Sequence, residues 1–178
     1  MVRPIKAIFL DRDGVLNIPT IINGKSFAPK NLLSFKLYPY TKVSIELLKN
    51  AGYKIIVVTN QPDVGNKITK SSELKKMHDK IFKECKVDDI FTCTHRQEDD
   101  CYCRKPKTGM LESAICKYNI DISKSFLIGD RYSDIMAAKN INCNSIFIDR
   151  KYLEIYPKTQ IMTVTSLKKA VDFILSLR

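Results

Sequence analysis

Phe9-Leu10-Asp11-Arg12-Asp13-Gly14-Val15-Leu16-Asn17 is the stretch on which the fold turns. It closes a short apolar run, residues 6–10 (KAIFL), that reads as a β-strand. Two carboxylates at i and i+2 of an extended chain project to the same side, and Gly14 permits a sharp turn directly beyond them. Such a pair suits a magnesium ion, which takes oxygen ligands and leaves positions open for phosphate oxygens. One carboxylate can then attack phosphorus while the other carries protons. By itself, Asp-x-Asp reads equally well as a solvated Asx turn. The remainder of the chain decides between the two.

Outward from that strand, apolar runs alternate with segments of helical period. Residues 39–51 place Val43, Leu47 and Leu48 on a helical stripe, with Gly52 as a stop. Residues 53–59 (YKIIVVT) are almost wholly apolar and β-branched, the pattern of a strand covered on both faces. Residues 71–86 put Leu74, Met77, Ile81 and Phe82 on one helical stripe. Further strands are expected at 89–93, 125–128 and 145–148, and helices at 108–118, 134–140 and 166–177. This repetition predicts a three-layer α/β/α architecture with a doubly wound, mostly parallel sheet, one domain over residues 1–178. Residues 17–37 and 94–107 show no clear period.

Ligands in such folds collect outside the carboxyl ends of the strands, and polar residues stand at each of those ends here. The second long run ends Thr59-Asn60-Gln61, groups able to donate hydrogen bonds to a phosphoryl group, although a strand-ending Thr with an Asn turn is commonplace. Arg104-Lys105-Pro106-Lys107 precedes the 108–118 helix, where a lysine can neutralise a phosphoryl group and a carboxylate together. The run ending at Ile128 leads into Gly129-Asp130-Arg131-Tyr132-Ser133-Asp134. Asp130 can complete a metal site from the neighbouring strand, and Asp134 can fix the loop or cap the helix.

The 178 residues carry a net charge of +11, which permits a polyanionic partner or a multiply phosphorylated substrate. Much of the excess is lysine on helix faces, as at Lys75, Lys76, Lys80 and Lys83, and reads as solvated surface. No apolar run approaches the length of a membrane span. The opening Met1-Val2-Arg3-Pro4-Ile5-Lys6 lacks a secretory leader pattern, so the expectation is a cytoplasmic, monomeric protein without a membrane. Cys85, Cys116 and Cys143 stand in apolar surroundings and are expected to be buried. Cys93, His95, Cys101 and Cys103 cluster instead, and together make a complete tetrahedral structural zinc set with no position left to activate a water. Held by zinc, the loop at 93–107 would turn Arg104 and Lys105 toward the site.

The order of these motifs, strand-Asp-x-Asp-Gly, strand-Thr-Asn, a lysine, then strand-Gly-Asp-x-x-x-Asp, resembles the haloacid dehalogenase superfamily of phosphohydrolases over nearly the whole chain. FLDRDGVLN, TNQPDVG, the Cys-x-His…Cys-x-Cys-Arg-Lys-Pro loop and GDRYSD are similar to the histidinol-phosphate and D-glycero-D-manno-heptose 1,7-bisphosphate phosphatase group. That resemblance implies a Rossmann-like phosphatase fold with a minimal cap, the zinc loop standing where relatives carry a larger one. It implies Asp11 as nucleophile, Asp13 as general acid and base, and Thr59 and Lys105 as phosphoryl stabilisers. Magnesium would be held by Asp11, the backbone carbonyl of Asp13, and Asp130. Substrate contacts would come from Arg12, Asn17, Asn60, Gln61, Arg104 and Arg131, the last standing where heptose enzymes more often have lysine. The chain departs from the group at Pro62-Asp63-Val64 and through the segment after Asn17.

A small phosphorylated sugar is the expected substrate. The chain ends without a fused partner domain, and Arg104, Lys107, Arg131 and Lys67 offer a basic entrance suited to a bisphosphate. The reaction would be hydrolysis of the 7-phosphate of heptose 1,7-bisphosphate, on a route to nucleotide-activated heptose and surface polysaccharide. Histidinol phosphate is the runner-up. A DNA 3′-phosphate ranks third, because no binding module or aromatic interleaving points to nucleic acid.

Overall fold

The structure, a computed structural model, describes residues 3–177; Met1 and Val2, part of the stretch read as lacking a leader, lie outside them. The first strand, β1 (Ala7–Leu10), is buried at all four positions. Period-two alternation divides those side chains between two cores: Ile8 and Leu10 face one, Ala7 and Phe9 the other. A strand of this kind needs cover on both faces, and the rest of the chain supplies it.

After β1 come four short strands, β2 (Asn17–Ile18), β3 (Thr20–Ile22), β4 (Lys25–Phe27) and β5 (Lys36–Leu37). Then follow α1 (Thr41–Asn50), β6 (Lys54–Asn60), α2 (Pro62–Gly65), α3 (Ser71–Cys85) and β7 (Asp89–Cys93). The second half is α4 (Gly109–Tyr118), β8 (Phe126–Gly129), α5 (Tyr132–Asn140), β9 (Asn144–Ile148), β10 (Met162–Val164) and α6 (Leu167–Ser176). The main sheet runs in the order β10-β9-β8-β1-β6-β7, every pairing parallel. Residues of α1, α3 and α6 fill the core on the Ile8 face, and residues of α4 and α5 the core on the Phe9 face. This is the expected doubly wound three-layer architecture.

The chain leaves β1 for β6 and β7 on one side, then returns to β8 on the other. The sheet therefore reverses direction beside β1, the place where such folds open a crevice. Leu10 lies level with Val57 and with Ile128, so the residues that follow all three strands emerge at one edge.

The apolar stripes differ in detail from the periodicity. Helix α1 buries Thr41, Ser44, Ile45 and Leu48, leaving Val43 and Leu47 exposed. The Thr41 hydroxyl donates to the Leu16 carbonyl at 2.7 Å, and a polar group so satisfied can enter a core. In α3 the buried stripe continues to Cys85 while Phe82 is exposed. Cys116 is exposed, unlike Cys85 and Cys143. β10, an edge strand of three residues, is too short to carry a period. The segment at 17–37 folds as two small antiparallel pairs, β2–β5 and β3–β4. The hairpin turn is Asn23-Gly24, both at positive φ (50° and 74°), a dipeptide whose signal was present in the sequence. Among the described residues no helix is long and apolar enough to cross a membrane.

Candidate active site

Three carboxylates and one ammonium meet at the edge below the crevice. Asp11 follows β1, Asp130 follows β8, Asp134 lies in the first turn of α5, and Lys105 sits in the loop between β7 and α4. All four are buried. Lys105 Nζ lies 2.8 Å from Asp11 Oδ1, 2.6 Å from Asp134 Oδ1 and 2.6 Å from the Val58 carbonyl. Burial pulls the ammonium pKa down, but the two carboxylates more than offset it and hold Lys105 charged. Asp134 does both things its position allows: it pairs with Lys105, and its Oδ2 accepts from the Arg131 amide at 3.0 Å at the start of α5.

One cation does not balance three anions. Burial pushes Asp11 up to about 6, opposed by Lys105 and reinforced by Asp134 and Asp13. Asp130 is driven well above the usual carboxylate range by burial and by the charges of Asp11 and Asp134. Both Asp130 oxygens are buried without a hydrogen-bond partner. Carboxylate oxygens of Asp11, Asp130 and Asp134 lie within 4.8 Å of one another. An orphaned buried carboxylate among hard oxygen donors is the environment a small divalent cation relieves, and these residues fit magnesium.

Gly14 shapes the same spot. It stands at φ +85°, and a Cβ there would lie 1.7 Å from Asp130 Oδ2. Gly14→Ala should therefore destabilise the protein by at least about 2 kcal/mol, from the positive φ and the collision together. It should also weaken magnesium binding. Urea denaturation with and without magnesium checks both, and a variant with wild-type stability and magnesium response would show that the contact yields freely.

The Asp13 carboxylate is not part of that cluster; the same-side projection of the pair does not bring it there. Arg12 Nη2 donates to it at 2.9 and 3.0 Å and Arg12 Nε at 3.1 Å. Asn17 Nδ2 donates at 2.9 Å and Gln61 Nε2 at 2.7 Å. Arg12, Asn17 and Gln61 are buried and line no part of the crevice. Their side chains are turned onto the Asp13 carboxylate and away from the crevice, where the resemblance would have them touch substrate. The physical reason is that a guanidinium with no solvent needs a partner, and the adjacent carboxylate offers a bidentate one. Phe35 lies 5.5 Å from the guanidinium. His78 of α3 faces Arg12 Nη1 at 3.4 Å, with its pKa lowered to about 4 by burial and then by the Arg12 charge. Nothing in the sequence marked His78, a single histidine on a helix. Thr59 is buried, and its hydroxyl accepts from Gln61 Nε2 at 2.8 Å.

Asn60 lies at the crevice, but its amide is committed to the Lys105 backbone, donating to the carbonyl at 3.0 Å and accepting from the N–H at 3.1 Å. It sets Lys105 in place. Above the carboxylates the crevice opens to about 710 Å³ and is lined by Lys25, Arg104, Lys105, Arg131 and Glu154. Arg104 Nη1 is buried with no partner. The expected basic entrance is thus partly redrawn: Lys107 pairs with Asp100 and does not line the crevice, nor does Lys67, whereas Lys25 of the hairpin does.

Beyond β7, Cys93, His95, Cys101 and Cys103 converge with ligand atoms within 4.8 Å of one another. Cys93 Sγ lies 3.4 Å from Cys101 Sγ and 3.8 Å from His95 Nδ1; Cys103 Sγ lies 3.4 Å from Cys101 Sγ and 3.2 Å from His95 Nδ1. Tetrahedral ligands about 2.0–2.3 Å from zinc are about 3.3–3.8 Å apart, and these separations are close to that range. Cys101 and Cys103 lie in a loop and turn.

Comparison with known proteins agrees with this geometry. The polynucleotide kinase 3 phosphatase family matches residues 7–155. The D-glycero-alpha-D-manno-heptose-1,7-bisphosphate 7-phosphatase of Photorhabdus laumondii is 35% identical, covering 81% of this chain and 82% of that protein. The histidine biosynthesis bifunctional protein HisB of Blochmanniella floridana is 37% identical over 85% of this chain, which spans only 42% of that longer protein. Among solved structures, the D,D-heptose 1,7-bisphosphate phosphatase of B. bronchiseptica, complexed with magnesium and phosphate, superposes with a TM-score of 0.84 at 27% identity, over 97% of this chain and 99% of that one. With its central sheet, its carboxylate cluster and residues 7–155 all accounted for, the chain belongs to the polynucleotide kinase 3 phosphatase family of haloacid dehalogenase-like phosphatases.

Proposed function

We propose that the protein is a magnesium-dependent phosphatase acting on the 7-phosphate of D-glycero-D-manno-heptose 1,7-bisphosphate through an aspartyl-phosphate. Asp11 attacks phosphorus and the bond to the sugar oxygen breaks. Asp13, held by Arg12, Asn17 and Gln61, delivers the proton to that leaving oxygen. Asp13 then takes a proton from water, which attacks phosphorus, breaks the Asp11–phosphorus bond and releases inorganic phosphate. Lys105 stays protonated throughout and offsets charge on Asp11 and on the phosphoryl oxygens. Magnesium, held by Asp11, the Asp13 backbone carbonyl and Asp130, would screen phosphate charge during the attack. Cys93, His95, Cys101 and Cys103 would hold a structural zinc.

The observation that carries the substrate is the set of crevice cations left over once Lys105 is committed. Lys25 and Arg104 have no ion-pair partner among the described residues, and Arg131 lies beside them. A second phosphate on the substrate would meet these groups, whereas histidinol phosphate ends in an amine and an imidazole, which they repel. The product, a heptose 1-phosphate, suits nucleotide activation. Phosphate release measured side by side on both heptose bisphosphate anomers, histidinol phosphate and a DNA 3′-phosphate is the test. The heptose substrates should exceed the others by at least about 100-fold in kcat/KM, a difference of about 2.7 kcal/mol in transition-state stabilisation. Preference for histidinol phosphate, or DNA turnover that falls steeply with salt, would overturn the assignment.

A further inference from the structure

One crevice cation is already occupied by the protein itself. Arg131, directly after Asp130, makes a two-pronged ion pair with Glu154: Nε donates to Oε2 at 3.0 Å and Nη2 donates to Oε1. Both side chains line the crevice that holds Asp11 and Lys105. Planar guanidinium-to-carboxylate pairing uses the same fork that binds a phosphate. Glu154 therefore occupies the face of Arg131 that a substrate anion would need.

Glu154 belongs to no helix or strand. Its neighbour Leu153 donates its amide to the Gly24 carbonyl at 2.8 Å, at the tip of the β3–β4 hairpin. The Leu153 side chain sits where a Gly24 Cβ would be, 2.6 Å away. The hairpin brings Lys25 to the crevice, and the Glu154 segment is docked on the hairpin tip. The pair is partly open to water, with side-chain exposures of 44% for Arg131 and 22% for Glu154, so an incoming anion can reach and replace the carboxylate.

We propose that Glu154 is a specificity-determining residue: it neutralises Arg131 in the free enzyme, and only a substrate bearing a second, multiply charged anionic group displaces it. A phosphate dianion competes for the guanidinium better than a carboxylate does. A neutral or cationic distal group leaves the ion pair intact and gains nothing from Arg131. This rests on the sugar-bisphosphate reading above, since a substrate with one phosphate has no group to exchange for Glu154.

The test uses the full chain with magnesium and reads inhibition of p-nitrophenyl phosphate hydrolysis by glucose 1,6-bisphosphate and by glucose 6-phosphate. In Glu154→Gln, the inhibition constant for the bisphosphate should fall about fivefold, the value of one partly exposed ion pair. That for the monophosphate should fall less than twofold. Adding Arg131→Ala to Glu154→Gln should abolish the gain. A weaker or unchanged bisphosphate affinity in Glu154→Gln, an equal gain for both inhibitors, or a gain that survives Arg131→Ala would each overturn the proposal. Because these probes are not heptoses, failure of the heptose assignment would appear separately, as a wild-type protein that hydrolyses p-nitrophenyl phosphate but not heptose bisphosphate.

Discussion

Asp11→Asn is expected to reduce phosphate release by at least about 10⁴-fold, more than 5 kcal/mol of transition-state stabilisation. The amide cannot attack phosphorus, and nothing else can take its place: Asp134 is bound to Lys105 and to the helix start, and Asp13 is held by Arg12, Asn17 and Gln61. The fold should survive, because Lys105 keeps Asp134 and the Val58 carbonyl as partners. The metal-free variant should even resist unfolding better than wild type at neutral pH. Asp11 has its pKa raised from 3.8 to about 6 by burial, so the folded state binds its proton more tightly than the unfolded state does. Stability of the metal-free wild type therefore falls as pH rises between about 4 and 6, and the asparagine variant lacks that contribution. Thermal melts across this range, with EDTA, together with a phosphate-release assay, check both halves. Measurable turnover would remove Asp11 as nucleophile; a collapsed melting temperature would mean the carboxylate is structural.

What made the centre readable was its placement at strand ends. An apolar run followed at once by Asp11 or Asp130 needs only the parallel sheet to bring both acids to one edge, and strand-helix repetition supplies that sheet. Lys105 was readable differently, as a lysine at the entry of the 108–118 helix able to offset a phosphoryl group and a carboxylate together. The roles of Arg12, Asn17 and Gln61 were not. Arg12 and Gln61 follow strand ends and Asn17 closes the Asp-x-Asp stretch, places where a substrate ligand would also stand, and only the packing reveals that all three turn inward onto Asp13. His78 and Glu154 were illegible for another reason. Each acts on a residue distant in sequence, Arg12 and Arg131 respectively, and neither lies in a patterned motif. The β3–β4 hairpin lies between: its Asn23-Gly24 turn was legible, while its exposed apolar residues concealed the strands.

Cys103→Ser should abolish binding of about one equivalent of zinc per chain and lower kcat/KM by roughly 10–100-fold. The geometry also fixes how that loss divides. Cys103 is bonded to Arg104, whose Nη1 is buried at the crevice with no hydrogen-bond partner among the described residues, so its position there depends on the loop's conformation. Lys105, one residue further, is anchored independently: Asn60 grips its backbone from both sides, and Asp11, Asp134 and the Val58 carbonyl hold its ammonium. The Cys93 carbonyl also accepts from the Gln61 amide at 2.7 Å, tying the first ligand to the end of β6 whether or not metal is present. Loss of zinc should therefore displace Arg104 more than Lys105. For heptose bisphosphate the larger change should be a rise in KM, with kcat falling less, and p-nitrophenyl phosphate hydrolysis should decline least. Arg104→Ala should reproduce the KM effect while keeping zinc, which separates the loop's metal from the side chain it positions. Elemental analysis finding no zinc in active wild type would remove the structural role of the metal, and a fall in kcat with unchanged KM would show that the loop acts through Lys105 instead.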